Sequence, residues 1–527
     1  MSAASRLAVA GLCLTAGAAA AFAFPPFGVL PGLLGYALLM GLLDRAAADR
    51  PALSGFWRGW LAGTAYFLIG TWWVAEAFMV DAKEQGWMAP YASGLLAGGL
   101  ALFWGAAGAI HAKLKPQGAG RVLWFAGVFC ALEWLRGHLL TGFPWDLAGE
   151  AWPAGSPVSQ AASLVGAYGL SWITTAAAAS PALLLDAGKV PRRDLAAVGA
   201  AGAGLLGLHA WGLARLSHAQ GPAPGAPLVR VVQADVDQES KYDAAAFRSI
   251  LDRYVTLTAK PAARTPDIVV WPEGAIPAAA NDYLAPDTWT RAAIEGALRP
   301  GQTLLEGAYR IDGPPQRPTY YNTLLSLRME PQGLALTGHY DKFRLVPFGE
   351  YLPLETWLTP LGVKALVHVG DSFTPGPPPR PLKPPGVPPV QPLICYESLF
   401  PGFVSAGARA AGRPAWIVHV SNDAWFGRTS GPLQHLNLAS YRAIEEGLPL
   451  VRATPTGVSA VIDAYGRIVD GARLGPGATG VIDARLPAAL NPTPFSRLGE
   501  APFAAMVALS AIIAVIRRMP HWKPSQL

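Results

Sequence analysis

The sequence predicts a layered α/β domain inserted in a polytopic α-helical membrane protein. Three observations predict it. Apolar stretches of spanning length crowd the first 217 residues, and Lys and Arg are spread unevenly around their ends. From Pro222 the pattern then changes to short apolar runs alternating with polar helical stretches. The implied organisation is a transmembrane domain of about seven helices over 1–217, a catalytic domain over 218–495, and a last helix with a tail over 496–527.

Composition supports the first half of that division. Of the 527 residues, 52% are hydrophobic and 14% charged, against about 25% charged in an ordinary soluble chain. Apolar stretches run over about 5–24, 27–43, 56–80, 92–112, 121–140, 160–186, 195–214 and 501–516. Most have the roughly 20 residues that cross a hydrocarbon core. Arg6 ahead of an alanine-rich run would suit a cleaved signal peptide, but a second apolar run follows at once, so the first reads as a retained helix. Cys13 follows the bulky Leu12, which suits a packed helix residue rather than a lipid attachment site.

The net charge of +6 and pI of 9.2 would suit a nucleic-acid partner if the basic residues formed a groove. Instead they fall in short loops. With a cytoplasmic N-terminus, cytoplasmic segments hold Arg6, Arg45, Arg50, Arg58, Lys113, Lys115, Arg121, Lys189, Arg192, Arg193, Arg517, Arg518 and Lys523. The opposite ends hold Lys83, Arg136, Arg215 and Arg497, thirteen residues against four. This positive-inside bias, with an odd number of helices before residue 218, places 218–495 outside the cytoplasm. No nucleic-acid partner is expected.

Two polar clusters in the membrane half stand out. Glu133 and Arg136 lie three apart near a helix end, where they suit an ion pair or a substrate contact. Trp72 and Trp73, with Glu76, suit an interfacial aromatic belt.

In the second half, strands are expected at Leu228–Gln233, Asp267–Trp271, Thr303–Gly307, Asn322–Arg328, Leu334–His339, Pro392–Cys395, Trp416–Val420 and Val458–Asp463. Helices are expected at about 244–260, 287–298 and 434–446, and the proline-rich stretch 375–392 should be an extended loop. Sites in α/β sheets gather beyond the carboxyl ends of strands, and three such ends carry reactive groups: Glu273 after Trp271-Pro272, Lys342 after Tyr340-Asp341, and Cys395 after Leu393-Ile394. Singly these are unremarkable residues; a carboxylate, an ammonium and a thiol together make a coherent set. Cys13, Cys130 and Cys395 are too scattered for a disulfide framework or zinc cluster, so no metal is expected and a reactive cysteine acts alone. A thiol needs a base, and Glu273 can serve if burial raises its pKa. Lys342 would favour the thiolate and steady the oxyanion, with the Tyr396 N–H as second donor. A dyad of Cys395 with His419 or His435 is the alternative.

This trio resembles the nitrilase (carbon–nitrogen hydrolase) superfamily, whose catalytic Glu, Lys and Cys stand at three such strand ends. The order of Trp271-Pro272-Glu273, Lys342 through Pro353, Cys395-Tyr396-Glu397 and Ser421 through Gly427 is further similar to the apolipoprotein N-acyltransferase family. Gln434-His435, Arg442 through Glu445 and the stretch Glu133 to Trp145 extend the similarity over nearly the whole chain. The resemblance implies a nitrilase-like layered sandwich and a ping-pong acyl transfer without a cofactor. Cys395 would take an acyl chain from the sn-1 ester of a phospholipid, with Glu273 as base and Lys342 as oxyanion stabiliser. The thioester would pass to the amine of a diacylglyceryl-cysteine lipoprotein.

The same resemblance gives Glu350 and Glu397 either a positioning role toward Lys342 and the amine or a role in supporting their loop. Trp425 and Phe426 would line the acyl entrance or belong to the core. It also implies a multi-pass protein of the bacterial inner membrane with its catalytic domain on the periplasmic side. In the stretch Val232–Tyr242 the chain departs from the family pattern, Tyr242 standing where a tryptophan is usual, and Pro455 is also unusual. A membrane-anchored amidase that releases its acyl group to water would share the trio, but one helix would suffice to anchor it. A transporter would carry more mid-helix charges. The stretch 340–375, with Gly362, Gly370, Leu361, Val363 and Leu366, suits a gate or a packed surface loop.

Overall fold

A computed structural model describes residues 3–185, 190–353 and 372–516. The chain forms two compact units, one of Met1–Ala75, Trp87–His218 and Pro494–Leu527, the other of Glu76–Gly86 and Ala219–Thr493. The stretch with Leu361, Val363 and Leu366 lies outside the described residues, as do Lys189, Arg517, Arg518 and Lys523.

The first unit is helical. Its helices are α1 (Ala3–Ala21), α2 (Gly35–Asp44), α3 (Pro51–Thr71), α4 (Ala89–Leu114), α5 (Gly120–His138), α6 (Ala162–Ala179) and α7 (Arg192–Ser217), with a last helix over Ala501–Ile516. By length and composition alone, three described segments are apolar enough to cross a membrane: Ala4–Ala21, Ala82–Leu114 and Arg192–Ser217.

Several apolar runs are broken where the sequence reads them as continuous. Pro25, Pro26 and Pro31 have no N–H to donate, and Gly28 takes φ +65°, so the run at 27–43 becomes a 3-10 turn over Leu30–Leu34 followed by the short α2. The run at 56–80 leaves the α-helix at Thr71 and continues as 3-10 turns over Trp72–Met79. That change buries Trp73 against Trp145, with ring centroids 4.6 Å apart, so only Trp72 of the pair keeps the exposure an aromatic belt requires. Glu133 and Arg136 do form an ion pair. Trp104 Nε1 donates to Glu133 at 2.8 Å, and Arg136 donates to the carbonyls of Phe143 and Trp145, so the pair ties a loop to α5. Small residues let α3 and α4 approach closely: a Cβ on Gly59 would stand 2.2 Å from the Trp104 carbonyl oxygen.

The second unit is a sandwich of two mixed sheets. Its strands are β1 (Leu228–Gln233), β2 (Ile268–Trp271), β3 (Thr303–Asp312), β4 (Thr319–Glu330), β5 (Gly333–Asp341), β6 (Val390–Ile394), β7 (Trp416–Val420), β8 (Leu450–Ala453), β9 (Ser459–Ile462), β10 (Ile468–Leu474) and β11 (Gly480–Arg485). One sheet runs β11-β1-β2-β3-β4-β5 and the other β10-β9-β8-β7-β6, with parallel pairs at β1–β2, β2–β3, β6–β7 and β7–β8. Alternation along each strand decides what packs where. Val229, Val231, Ile268 and Val270 meet Val390, Ile394, Val418 and Val451 in the layer between sheets. On the outer face Val232, Val269 and Trp271 pack against Ile250, Leu251 and Tyr254 of α8 (Phe247–Ala259) and Ile294 of α9 (Trp289–Ala297). Two further helices, α10 (Phe403–Ala411) and α11 (Gly431–Glu446), follow β6 and β7, and α11 is buried along nearly its whole length.

The eight expected strands are present, most with shifted ends; β8, β10, β11 and helix α10 are additional. Pro392 sits inside β6 rather than ending the loop before it. Because β6 is at a sheet edge, a residue without a ladder donor is accommodated there.

Candidate active site

Lys342 and Cys395 follow directly on the ends of β5 and β6, and Glu273 follows β2 after Pro272. Lys342 Nζ lies 3.3 Å from Glu273 Oε1 and 3.0 Å from Glu350. Its backbone N–H donates to the Asn322 carbonyl at 2.8 Å, which continues the β4–β5 ladder one step past the strand end and fixes where the side chain starts. Asn322 Nδ2 then donates to both carboxylates, at 2.7 Å to Glu273 and 2.6 Å to Glu350. Glu273 Oε2 accepts from the Asn422 N–H at 2.7 Å, and Glu350 Oε2 from the Val346 N–H at 2.8 Å. All three charged side chains are buried.

Electrostatics at this cluster differ from the expectation for Glu273. Burial alone would raise its pKa, but the Lys342 ammonium and the donors on Asn322 and Asn422 outweigh burial and hold the carboxyl below its ordinary value. Lys342 is lowered by burial and raised more strongly by Glu273, Glu350 and Cys395, so it stays an ammonium. Burial pushes the Cys395 thiol well up, reinforced by the Glu273 charge and opposed by Lys342 and a hydrogen bond with Ser421. The resting site therefore holds an ionised carboxylate, an ammonium and a protonated thiol.

Cys395 itself takes φ +48°, a left-handed conformation that costs a non-glycine residue about 1–3 kcal/mol and persists only where its surroundings hold it. Its carbonyl lies 3.2 Å from His419 Nε2, 3.3 Å from His435 Nε2 and 3.0 Å from the Ser398 hydroxyl. Arg452 donates to His419 Nδ1 at 2.6 Å, and His435 Nδ1 lies 3.0 Å from Asp423. Both imidazoles are held below their ordinary pKa, first by burial and then by Arg452. Their hydrogen bonds thus address the backbone of Cys395, while the thiol is paired with Ser421, which argues against a Cys-His dyad.

The supporting residues separate into two groups. Glu397 is fully buried; its Oε1 accepts from Tyr340 Oη at 2.7 Å, the Phe343 N–H at 2.8 Å and the Arg344 N–H at 3.2 Å, and its Oε2 from the Ile394 N–H at 2.8 Å. It therefore ties the loop that carries Lys342 to the strand that carries Cys395. Burial lifts its pKa to about 7 against the pull of the Ile394 and Tyr340 donors. The buried Tyr396 ring packs edge-on to Phe400 at 5.2 Å. Trp425 and Phe426 are half-buried in the 3-10 turn Asp423–Phe426, with the Phe426 ring 5.6 Å from that of His435. Tyr242 is not brought to the cluster and is 69% exposed. Asn322 is a site residue that its expected strand did not reveal; the only sign in sequence is an amide among apolar strand residues.

A two-sheet sandwich with Glu, Lys and Cys beyond three strand ends defines the carbon–nitrogen hydrolase class, and the family model described as Carbon-nitrogen hydrolase matches residues 228–494. A second model, Apolipoprotein N-acyltransferase N-terminal domain, matches residues 16–180. The chain is 56% identical over 504 residues to a protein of Caulobacter vibrioides named apolipoprotein N-acyltransferase, covering 95% of this chain and 93% of that one. Proteins of the same name from Bradyrhizobium diazoefficiens and Rhodopseudomonas palustris are 39% and 37% identical, each covering 97% of this chain and 96% and 95% of their own. The chain belongs to the apolipoprotein N-acyltransferase family.

Proposed function

We propose that the chain moves an acyl chain from a phospholipid to the N-terminal amine of a diacylglyceryl-cysteine lipoprotein, in two half-reactions through a thioester on Cys395. The observation that carries this reading is Lys342 Nζ held between Glu273 and Glu350, within electrostatic reach of the Cys395 thiol. Glu273, ionised at rest, takes the thiol proton as sulfur attacks the sn-1 ester carbonyl. Transfer to so acidic a carboxyl is uphill, and Lys342 with the Tyr396 N–H offsets it by stabilising the oxyanion. The ester C–O bond breaks, Glu273 returns the proton to the departing lysophospholipid oxygen, and the acyl group remains on sulfur. Glu350 and Glu397 hold Lys342 and its loop, and Trp425 and Phe426 line the acyl entrance.

Both substrates are lipids, which supports a multi-pass protein of the bacterial inner membrane with residues 218–495 on the periplasmic side. The count of thirteen basic residues against four supports that orientation. The test is incubation of the purified chain with phospholipid labelled in its sn-1 acyl chain. Label should stay on the protein, be released by neutral hydroxylamine and be absent from Cys395→Ala; normal labelling of that variant would place the nucleophile elsewhere.

A further inference from the structure

Next to the site stands a lysine that the half-reactions above do not use. Lys241 belongs to the 3-10 turn Glu239–Tyr242. Its Nζ is closed to solvent, makes no hydrogen bond, and lies 3.6 Å from where a Cβ would stand on Gly274, the residue after Glu273. The turn is pinned to the site: Gln238 Oε1 accepts from Asn422 Nδ2 at 2.8 Å, and the Asn422 N–H donates to Glu273. Two more buried polar atoms here have no partner, the side-chain oxygens of Asn322 and Asn422. A buried polar group left unpaired costs about 1–3 kcal/mol, so three around one carboxylate mark a place where a substrate supplies the missing partners. The two amide oxygens can accept N–H bonds, and Lys241 is a group beside them that can change its proton count.

We propose that Lys241 is the catalytic group that takes a proton from the incoming α-ammonium in the second half-reaction, with Asn322 and Asn422 orienting its N–H bonds. This rests on the two-step reading above. The ammonium gives one proton to Lys241, and the amine nitrogen attacks the thioester carbon. The C–S bond breaks with its electron pair on sulfur, and the second N–H proton passes through Glu273 to restore the thiol. Lys241 then gives its proton to water that replaces the departing product. Proton affinities agree with this division of labour. Burial lowers Lys241 to about 8, against the opposing pull of Glu273 from the end of β2 and Asp237 from its own loop. An α-amine titrates at about 7.7–8.0, so Lys241 is matched to it, while Glu273 is held below the ordinary carboxyl value.

The experiment loads the full-length chain with labelled phospholipid and then chases the thioester with either a diacylated lipopeptide or hydroxylamine, which is largely unprotonated at neutral pH. Lys241→Met should load like the parent, lose roughly 100-fold in lipopeptide discharge at pH 7, and discharge normally to hydroxylamine. The lipopeptide defect should narrow as pH rises toward 9, where solvent deprotonates the amine. Lys241→Arg keeps the charge but cannot accept a proton, and should fail like Lys241→Met. Normal discharge by Lys241→Met overturns the proposal, as does rescue by Lys241→Arg or equal slowing of loading and both chases. A parent chain that never loads overturns the two-step reading itself, an outcome distinct from all of these.

Discussion

A carboxyl group shut among strand ends should keep its proton, yet Glu273 is drawn down because Asn322, Asn422 and Lys342 all present donors or charge to it. Asn322 has the sharpest consequence, since one amide group separates two carboxylates. Asn322→Ala removes two hydrogen bonds to charged oxygens, each of a kind worth about 1.5–3 kcal/mol. Acylation of Cys395 should slow by roughly 10- to 100-fold. In the proposed mechanism Glu273 works ionised, so as its pKa rises toward its ordinary value the acid limb of the acylation rate should move to higher pH. A rate against pH curve that superimposes on the parent would deny Asn322 this role. Glu273, Lys342 and Cys395 are legible in sequence because each terminates an apolar run. Asn322 and Lys241 are not, because one depends on the register of β4 against β5 and the other on which way a short turn faces. At that turn the sequence draws attention to Tyr242, which points outward, while the adjacent Lys241 points in.

At the scale of elements, strands that bury both faces in apolar side chains, such as β2 and β7, are plain in sequence. β8 and β11, which carry charges inside them, are not. β8 carries buried Arg452, and β11 carries Asp483 directly opposite Arg230 of β1, paired at 2.7 Å. A charge in a strand reads as surface until its cross-strand partner is known. Glu306 on β3 is a buried acid inside a strand that the sequence does predict: Tyr283 Oη donates to its Oε1 at 2.8 Å, and its Oε2 has no partner. Burial raises its pKa to about 8 from an ordinary 4.5. The folded state therefore holds a proton that the unfolded chain gives up above pH 4.5, and stability is lost as pH rises from there to about 8. Over that window the loss amounts to roughly 3 kcal/mol by pH 7. Glu306→Gln keeps the acceptor for Tyr283 and removes the titration. Its thermal midpoint should exceed the parent's at pH 8 and match it at pH 4.5; an equal difference at both would contradict the assignment.

For the molecule as a whole, the apolar half is readable as helical and less so in detail, because Pro25, Pro26, Pro31 and Gly28 interrupt runs that hydropathy alone treats as continuous. On the proposed function, what that half contributes follows from the two lipid substrates. Each acyl methylene exposed to water costs about 0.8 kcal/mol, so a donor and an acceptor that both carry long chains call for a catalyst in the lipid phase. An amidase with the same trio, which releases its acyl group to water, has no such need, since its product leaves by itself. The two readings part at the second half-reaction, and the discriminating measurement is the fate of the labelled Cys395 thioester with and without a diacylated lipopeptide. The transferase account predicts a thioester that persists in buffer and is discharged into a triacylated peptide when the acceptor is added. Release of free fatty acid at the same rate in both cases would contradict it.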